Sequence, residues 1–579
     1  MTAPSQTLGA SVVLAFGLAL AAVIYLDKPG GRWGRAVRSR LLLGVPWGSV
    51  VSVLFVLAVY LFLQEGLLNW SDPVVLPYRS WSYLYPTGWL TSGFAHANPG
   101  HILGNLTSAI VLAPIAEYAW GHLPSERGSQ SFASWRTNPW IRAFVVFPTA
   151  VLLVGVATSL FALGPVIGFS GVVFAFAGFA IVHYPVVTVV GLLISRVVST
   201  TLQSLLDPVL VATTSASAPS APSWASIAVQ GHALGFLVGV VLGLAVLRRR
   251  ARRPSAARLL GATLVFGVVQ GLYLVYWFRG GGEYVLFRGP GLVLVVLLAV
   301  LVTLAATTSD RTVVRSTTRR GVAITMLILG LAALGGVAIV PNLYTVDDTS
   351  IDEDAVTVED YQITYDEGVR NEMVFAYDIE LFGESTSIDT SGVIVTSEQR
   401  DIWMTHTSKE RLAFRGSTTV KVGGPGWSET VRVVREGWTP TGKETVYQVF
   451  VDGKERPVFV SDLQTATPRI DGRSVMIIPE NGQFILAVDD GNGRLDRTPL
   501  PTADEPVEAG GLTFEREQTD GKTVIMAERG ETSVQIARAE GRGFSGPTRY
   551  GTLRRQRRVG SRCGTRTGDP DPVRHGTLA

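Results

Sequence analysis

Charged residues and cysteine are scarce in this sequence. Only 17% of its 579 residues are charged and its mean hydropathy is +0.30, whereas soluble globular proteins carry about 25% charged residues. This composition argues against a purely soluble enzyme. The one cysteine, Cys563, lies near the C-terminus, so an intrachain disulfide is excluded in any compartment.

Acidic residues are rare in the first part of the chain and abundant in the second. Residues 1–341 hold 22 basic and 8 acidic residues, a net charge of +14, whereas residues 342–545 hold 20 and 37, a net charge of −17. Residues 546–579 hold 8 and 2, a net charge of +6. The chain therefore joins at least two different kinds of structure.

Long apolar runs fill the first part of the chain. A helix needs about 20 residues to cross a hydrocarbon core of about 30 Å. Ten candidate spans meet or approach this length, the fifth being the shortest. They are residues 8–26, 41–64, 99–119, 142–163, 168–184, 185–206, 225–247, 257–278, 289–308 and 321–341.

Arginines between the spans indicate their orientation. They follow the first, third, seventh and ninth spans, and cytoplasmic loops are the ones enriched in basic residues. This alternation predicts an extracellular N-terminus and an extracellular location for residues 342–579. Clusters such as residues 248–253 are then membrane flanks rather than nucleic-acid contacts. No basic residue precedes the first span, which argues against a cleaved signal peptide.

Arg196 is the exception to this pattern because it falls in the middle of the sixth span. Snorkelling, pairing with another group, or a wrongly placed span boundary would each explain it.

Strongly polar side chains inside the spans are few, and each is a functional hypothesis because it is costly there. Ser170, His232 and Asn105 lie 14 to 16 residues from the cytoplasmic ends of their spans, or about 21 to 24 Å. Three polar groups on separate helices therefore meet at one level. That level is about 6 to 9 Å below the outer edge of the hydrocarbon core.

This level permits nucleophilic chemistry. Ser170 becomes a nucleophile when a base takes its proton, and His232 is the histidine at the required height. The first-turn N–H groups beside Ser170, including that of Gly171, can stabilise an oxyanion together with Asn105 and His101. No acidic residue lies at this level, so a Ser-His dyad is predicted. Phe174, one turn below Ser170, is expected to stack on the histidine.

Two other hydrolytic arrangements fit the sequence less well. The soluble hydrolase elbow Gly-x-Ser-x-Gly is not matched, because Val172 occupies the place of its second glycine. A zinc site of His96, His101 and His232 lacks a His-Glu-x-x-His motif and a nearby cysteine. We therefore predict neither a metal nor a cofactor.

Residues 41–247 resemble the six-helix core of the rhomboid intramembrane serine proteases. The motifs are His96-x4-His101-x3-Asn105, Gly168-x-Ser170-Gly171, His232-x2-Gly235-x3-Gly239 and Glu117-x3-Gly121. The resemblance implies that Ser170 is the nucleophile and His232 the general base. It also implies an oxyanion site formed by His101, Asn105 and the Ser170 backbone, with His96 holding the preceding loop.

The resemblance further implies cleavage of peptide bonds in or beside the transmembrane helix of another membrane protein. Substrate would enter near the fifth core helix, and residues 213–222 have the composition and position of the family's flexible cap. The sequence departs from the family in two places. Trp89 is followed by Leu90 where many members have Trp-Arg, and Phe174 replaces a frequent tyrosine.

Short alternating β-type runs begin near Val356 and continue to about residue 545. Residues 446–451, Asp452-Gly453 and residues 457–460 predict a hairpin. We expect an all-β sandwich or barrel-like domain after an acidic linker at residues 347–360. Substrate recruitment or partner binding is its expected role, and the tail from Gly546 is expected to be disordered.

We predict a mainly α polytopic membrane protein with a rhomboid-like six-helix core, four extra transmembrane helices and a C-terminal all-β extracellular domain. The expected divisions are residues 1–40, 41–247, 248–341, 342–545 and 546–579. The predicted function is a serine endopeptidase of the cell membrane whose partners are the lipid bilayer and membrane-protein substrates. Whether the β domain also binds an extracellular partner is left open. An inactive rhomboid-like protein that binds transmembrane helices is the alternative. A solute transporter is less favoured because no internal repeat is found.

Overall fold

The computed structural model describes residues 3–123, 134–209, 217–249, 254–280, 282–308, 312–314, 317–346, 355–372, 380–381, 384–385, 388–452, 454, 456–490 and 493–540. Several expected features lie wholly or partly outside these residues. They are the tail 546–579, the start of the acidic linker, parts of the basic loops, and the first part of the cap at residues 213–222.

Apolar α-helices make up the first part of the molecule. In chain order the helices are α1 (Ala3–Asp27), α2 (Arg32–Arg38), α3 (Trp47–Ala58), α4 (Pro86–Thr91), α5 (Pro99–Trp120), α6 (Pro139–Ile141), α7 (Phe147–Leu160), α8 (Ser170–His183), α9 (Pro185–Leu206), α10 (Val229–Arg248), α11 (Ala256–Val269), α12 (Arg288–Thr307) and α13 (Arg319–Ile339). Irregular helical turns at Val59–Leu63 and Arg142–Val146 extend α3 and join α6 to α7.

The expected spans correspond to ten of these helical segments. Seven segments in the described part of the chain are long and apolar enough to cross a membrane, and three shorter apolar ones, Trp47–Leu63, Ser170–His183 and Ala256–Val269, complete the set. The prediction of a polytopic α-helical membrane protein is confirmed.

Proline and asparagine mark the starts of several helices. Pro99, Pro139 and Pro185 stand in the first turns of α5, α6 and α9, where the missing N–H would have no intrahelical partner. The Asn98 side chain caps α5 by accepting a hydrogen bond from the His101 N–H at 2.9 Å. This cap begins the helix that carries His101 and Asn105.

The eighth span was predicted too long at its C-terminal end. α11 ends at Val269, and Gly271 has φ of +71°, a conformation that favours glycine and ends helices. The next residues form strand β1 (Tyr276–Gly280), which pairs antiparallel with β2 (Glu283–Leu286). Aromatic residues favour strands, so the apolar composition of residues 276–278 came from a hairpin and not from a helix.

Arg196 lies midway along α9, and its side chain is exposed on the helix surface. The sixth span was predicted with the correct boundaries, because residues 185–206 form one continuous helix. A misplaced boundary is therefore excluded as the explanation for this arginine.

Helix α8 is the buried centre of the helical part. It contacts α5, α7, α9 and α10. Glycines allow the backbones of α8 and α10 to touch. A Cβ atom on Gly235 would lie 2.1 Å from the Gly171 carbonyl oxygen, and one on Gly239 would lie 2.0 Å from that of Ala175. Neither position accepts a larger residue unless the two helices move apart.

Antiparallel strands make up the second part of the molecule, here called the β domain (residues 356–540). Strands β3 (Thr312–Val314) and β4 (Thr317–Thr318) precede this domain and form a short hairpin that joins α12 to α13. The strands of the β domain are β5 (Val356–Val358), β6 (Tyr361–Arg370), β7 (Glu380–Leu381), β8 (Glu384–Ser385), β9 (Asp389–Ser397), β10 (Ile402–Ser408), β11 (Ser417–Gly424), β12 (Trp427–Pro440), β13 (Val446–Val451), β14 (Phe459–Val460), β15 (Gln464–Ile470), β16 (Arg473–Glu480), β17 (Gln483–Asp489), β18 (Leu495–Pro499), β19 (Val507–Ala509), β20 (Leu512–Thr519), β21 (Lys522–Arg529) and β22 (Thr532–Ala539).

Three sheets of the β domain contain its main hydrophobic cores. Their strand orders are β10-β9-β6-β5, β14-β13-β12-β22-β21-β20-β19 with β11 paired to β12, and β15-β16-β17-β18. The expected hairpin is confirmed, because Gln448 pairs with Val460 between β13 and β14. The short helix α14 (Lys409–Arg415) packs against the strands. The prediction of a C-terminal β-rich domain is confirmed.

The loop after α3 enters the core of the β domain. Leu76 and Trp81 belong to the same buried cluster as Tyr361 and Val420, and Trp81 is only 2% exposed. Polar contacts reinforce the attachment: Arg400 donates to the Tyr85 hydroxyl at 3.2 Å, Ser428 donates to Glu65 Oε2 at 2.7 Å, and Lys421 donates to the Asp72 carbonyl at 2.5 Å. The β domain therefore packs directly on residues 65–85, here called the first loop.

The segment after α13 is also tied to the helical part. The Asn342 side chain donates to the Ala162 carbonyl at 2.8 Å, and the Asn342 backbone carbonyl accepts from the Tyr83 N–H at 2.6 Å. Asn342 thus connects the end of the last helix with the first loop and with the segment that precedes α8.

Candidate active site

Ser170 and His232 meet at the N-terminal ends of two adjacent helices. Ser170 is the first residue of α8, and His232 lies in the first turn of α10. The His232 Nε2 atom lies 2.9 Å from the Ser170 Oγ atom, a hydrogen-bonding distance. The close glycine contacts between α8 and α10 make this approach possible.

An aromatic ring supports the histidine on one face. The rings of Phe174 and His232 are stacked, with centroids 4.2 Å apart and an angle of 12° between their planes. The buried Nδ1 atom of His232 has no hydrogen-bond partner among the described residues. Stacking, and not a carboxylate, therefore sets the orientation of this imidazole.

His96 and Asn105 form a buried polar pair beside the dyad. The Asn105 amide donates to His96 Nε2 at 3.0 Å, and His96 is fully buried. Gln64, at the end of the turn that extends α3, holds His96 from the other side. Its side chain accepts from the His96 N–H at 2.7 Å and donates to the His96 carbonyl at 2.8 Å. The geometry fixes the segment just before α5.

His101 reaches the same place from the first turn of α5. Its ring lies edge-on to that of His96, with centroids 5.1 Å apart. Gly168 packs against it: a Cβ atom there would lie 2.6 Å from His101 Nε2. Gly168 also has φ of +129°, a backbone conformation that side chains disfavour. Both observations explain why the turn before Ser170 requires glycine.

The start of α8 supplies backbone donors. The first N–H groups of a helix have no intrahelical partner, and the positive end of the helix dipole lies beside them. The Gly171 N–H belongs to this first turn, and a Cβ atom on Gly171 would lie 2.8 Å from the Thr158 side chain. A small residue at this position lets α7 pack against the turn.

A cavity of about 280 Å³ opens beside the dyad. It has the size of a small ligand pocket and combines polar and apolar walls. Its lining residues are His101, Asn105, Ser108, Leu112, Ile167, Ser170, Val173, Phe174, Ser226, Ile227, Ala228, His232, Phe266 and Gln270. Ser170, His232 and Asn105, which the sequence placed at one level, share this cavity with His101 and Phe174.

A second buried polar cluster lies at the opposite end of α5. The Glu117 carboxylate accepts hydrogen bonds from the N–H groups of Gly48 and Ser49 at 2.7 Å and from the Ser49 hydroxyl at 2.6 Å. The His122 ring contacts the same carboxylate at 2.5 Å, and both side chains are fully buried. This cluster joins the start of α3 to the end of α5 and is remote from the dyad.

Sequence reasoning missed several residues around the site. Gln64 carried a signal, since a glutamine at the end of an apolar run needs buried partners. Phe266 and Gln270 carried none, because an aromatic residue in a span and a glutamine after it are ordinary. Among the described residues, no group of three or more His, Cys, Asp or Glu side chains is placed to hold a metal ion.

The fold and the site together define a polytopic α-helical membrane protein in which a serine and a histidine from neighbouring helices meet beside a cavity. Comparison with protein families identifies residues 84–249 as a Rhomboid domain. This match confirms the resemblance of this part of the chain to the rhomboid family. Searches of the curated proteins and of the solved structures find no match.

Proposed function

We propose that this protein is an intramembrane serine endopeptidase that cleaves transmembrane or juxtamembrane segments of other membrane proteins. The observation that carries the proposal is the 2.9 Å contact between Ser170 Oγ and His232 Nε2. A serine hydroxyl needs a base within hydrogen-bond reach to become nucleophilic, and this distance meets that requirement. The match of residues 84–249 to a Rhomboid domain supports the same assignment.

The proposed reaction begins when Ser170 Oγ attacks the carbonyl carbon of a substrate peptide bond. His232 Nε2 takes the hydroxyl proton, and the carbonyl oxygen becomes an oxyanion. Collapse of this intermediate breaks the C–N bond, and His232 returns the proton to the leaving amine. Water then attacks the acyl ester with His232 again as base, which releases the acid product and restores Ser170.

The proposed oxyanion site consists of His101, Asn105 and the backbone N–H groups of Ser170 and Gly171. His101 and Asn105 line the dyad's cavity, and Asn105 Nδ2 retains a second hydrogen beyond the one directed at His96. Preorganised donors of this kind stabilise negative charge as it develops. His96 and Phe174 are proposed to hold Asn105 and His232 in place.

We further propose a multi-pass arrangement in the cell membrane, with the N-terminus and the β domain extracellular. The alternation of arginine-rich loops supports this orientation. We propose residues 41–247 as the catalytic core, flanked by residues 1–40 and by the three helices of residues 248–341. Residues 342–545 then form the outer domain, which remains a candidate for binding an extracellular partner.

The proposal is tested with the full chain in proteoliposomes that contain a reporter transmembrane substrate. Ser170→Ala and His232→Ala are each expected to reduce cleavage by about 10⁴-fold or more. Ser195→Ala is the matched control, because Ser195 is a buried serine of α9 that donates to the Leu192 carbonyl at 2.7 Å, away from the cavity. It is expected to cleave at the wild-type rate.

A fluorophosphonate probe that reacts with activated serines gives a second readout. Labelling of the wild type and its loss in Ser170→Ala would support the proposed nucleophile. A wild-type protein that binds transmembrane helices but neither labels nor cleaves would instead establish the inactive, helix-binding alternative.

A further inference from the structure

Part of the wall beside the dyad comes from outside the family domain. The Rhomboid domain covers residues 84–249, whereas α11 begins at Ala256. Phe266 and Gln270 nevertheless line the same cavity as Ser170 and His232. The helix that follows the domain is therefore in position to contact a bound substrate.

Phe266 is joined to the catalytic histidine through a row of aromatic rings. It is only 1% exposed and stacks on Phe236 of α10, with centroids 4.8 Å apart and an interplanar angle of 20°. It also contacts Phe174 edge-on at 5.4 Å and 77°. Because Phe174 stacks on His232, Phe266 supports the histidine through the intervening Phe174 ring. Phe266 also lines the cavity.

Gln270 is held at the cavity by the way α11 ends. Its N–H donates to the Phe266 carbonyl at 2.9 Å, and the left-handed Gly271 stops the helix immediately after it. Gly267 allows α11 to lie against α12, because a Cβ atom there would be 2.6 Å from the Val295 side chain. The carboxamide therefore projects from a fixed backbone.

The hairpin after α11 steadies the neighbouring wall. The Tyr276 hydroxyl of β1 donates to the Ala225 carbonyl at 2.6 Å. Trp224 packs edge-on against Tyr276 and Tyr284, with centroids 5.6 Å and 6.2 Å away. These contacts anchor the segment that carries the cavity residues 226–228. Helix α11 and the segment that the hairpin anchors thus both line the cavity.

We propose that Phe266 and Gln270 determine substrate specificity at the residue beside the scissile bond. Gln270 hydrogen-bonds an uncharged polar side chain of that residue, such as serine, threonine or asparagine, and Phe266 limits its size. No Asp, Glu, Lys or Arg is among the described residues that line the cavity, so a charged side chain would lose its hydration without gaining a partner. This inference rests on the proposed protease function.

The test uses a reporter transmembrane substrate with each of the twenty residues placed in turn on either side of the scissile bond. Gln270→Leu is expected to lower kcat/KM for the polar residues at least about tenfold relative to alanine, because the carboxamide partner is lost. Phe266→Ala is expected to raise acceptance of larger apolar residues about tenfold or more relative to alanine. Val268→Ala, at an exposed position of the same helix, is the control and should keep the wild-type profile.

Fluorophosphonate labelling of Ser170 separates specificity from damage to the dyad. Val268→Ala should label at the wild-type rate and Gln270→Leu should still label, whereas Phe266→Ala should label more slowly and Phe266→Tyr should restore the rate. If the wild type cleaves but Gln270→Leu and Phe266→Ala leave the residue preferences unchanged, the inference is wrong while the protease function stands. If the wild type neither cleaves nor labels, the protease function itself fails.

Discussion

Replacing Gly235 with alanine tests whether the backbone contact between α8 and α10 brings the dyad together. The new Cβ atom would lie 2.1 Å from the Gly171 carbonyl oxygen, and that neighbour is backbone and cannot rotate away. Ordinary contacts begin at about 3.4 Å, so the helices must separate by about 1 Å. Gly235 is three residues from His232, on the same face of α10.

A separation of this size would stretch the 2.9 Å contact between His232 and Ser170 to about 4 Å, beyond hydrogen-bond reach. Misplacement of catalytic groups by about 1 Å lowers rates about 10²-fold, which equals about 2.7 kcal/mol of transition-state stabilisation. We expect Gly235→Ala to show this loss in kcat/KM on the reporter substrate and a similar fall in the rate of fluorophosphonate labelling.

Gly231→Ala is the matched control, one turn away on the same helix. A Cβ atom there meets only the Ala162 Cβ at 3.7 Å, and alanine has the higher helix propensity by up to about 1 kcal/mol. This variant should be active and at least as stable as the wild type. Near-wild-type activity of Gly235→Ala, or an equal loss in both variants, would refute the role given to the close helix contact.

Three further predictions concern groups outside the dyad. Trp81→Ala should destabilise the packing of the first loop in the β domain by about 3 to 5 kcal/mol, seen as a lower thermal-unfolding midpoint of the full chain. Glu117→Ala should lower the free energy of unfolding by about 3 to 5 kcal/mol, because the buried donors around Glu117 lose their acceptor. It should also shorten the half-life of the folded protein in detergent. Burial, together with the charges of Arg79 and Arg411, lowers the pKa of His406 from 6.5 to about 4. The unfolded chain therefore binds a proton at this histidine more tightly than the folded chain does. The contribution of the neutral histidine to folding stability is complete above about pH 6.5 and is lost as the pH falls towards 4. His406→Gln should remove this acid-side loss, which is at most about 3 kcal/mol, in midpoints measured from pH 4 to 7.5.

Each of these predictions has a control or an opposing outcome. Trp81→Phe keeps a large apolar side chain and should lose less stability than Trp81→Ala, and equal midpoints would contradict the buried role of the indole. Glu117→Gln keeps one acceptor oxygen and should fall between wild type and Glu117→Ala. Parallel pH curves for wild type and His406→Gln would show that this histidine does not titrate differently in the folded and unfolded chain.

Local patterns in the sequence were sufficient to find the spans and the resemblance to a family. Hydropathy over about twenty residues located the membrane helices, because crossing a lipid bilayer constrains composition directly. The level shared by Ser170, His232 and Asn105 followed from the constant rise of a helix. Prediction stopped being accurate where local composition was ambiguous, as at residues 276–278, whose aromatic residues suit either a span or a hairpin.

The sequence by itself therefore determined which helices exist, how far along them their polar residues lie, and which family they resemble. Only the tertiary structure decided that Trp81 enters the β domain and that Phe266 and Gln270 line the cavity. Helix formation and membrane depth depend on residues that are neighbours along the chain. These contacts join residues hundreds of positions or several helices apart, and they depend on how the elements pack, which no local pattern encodes.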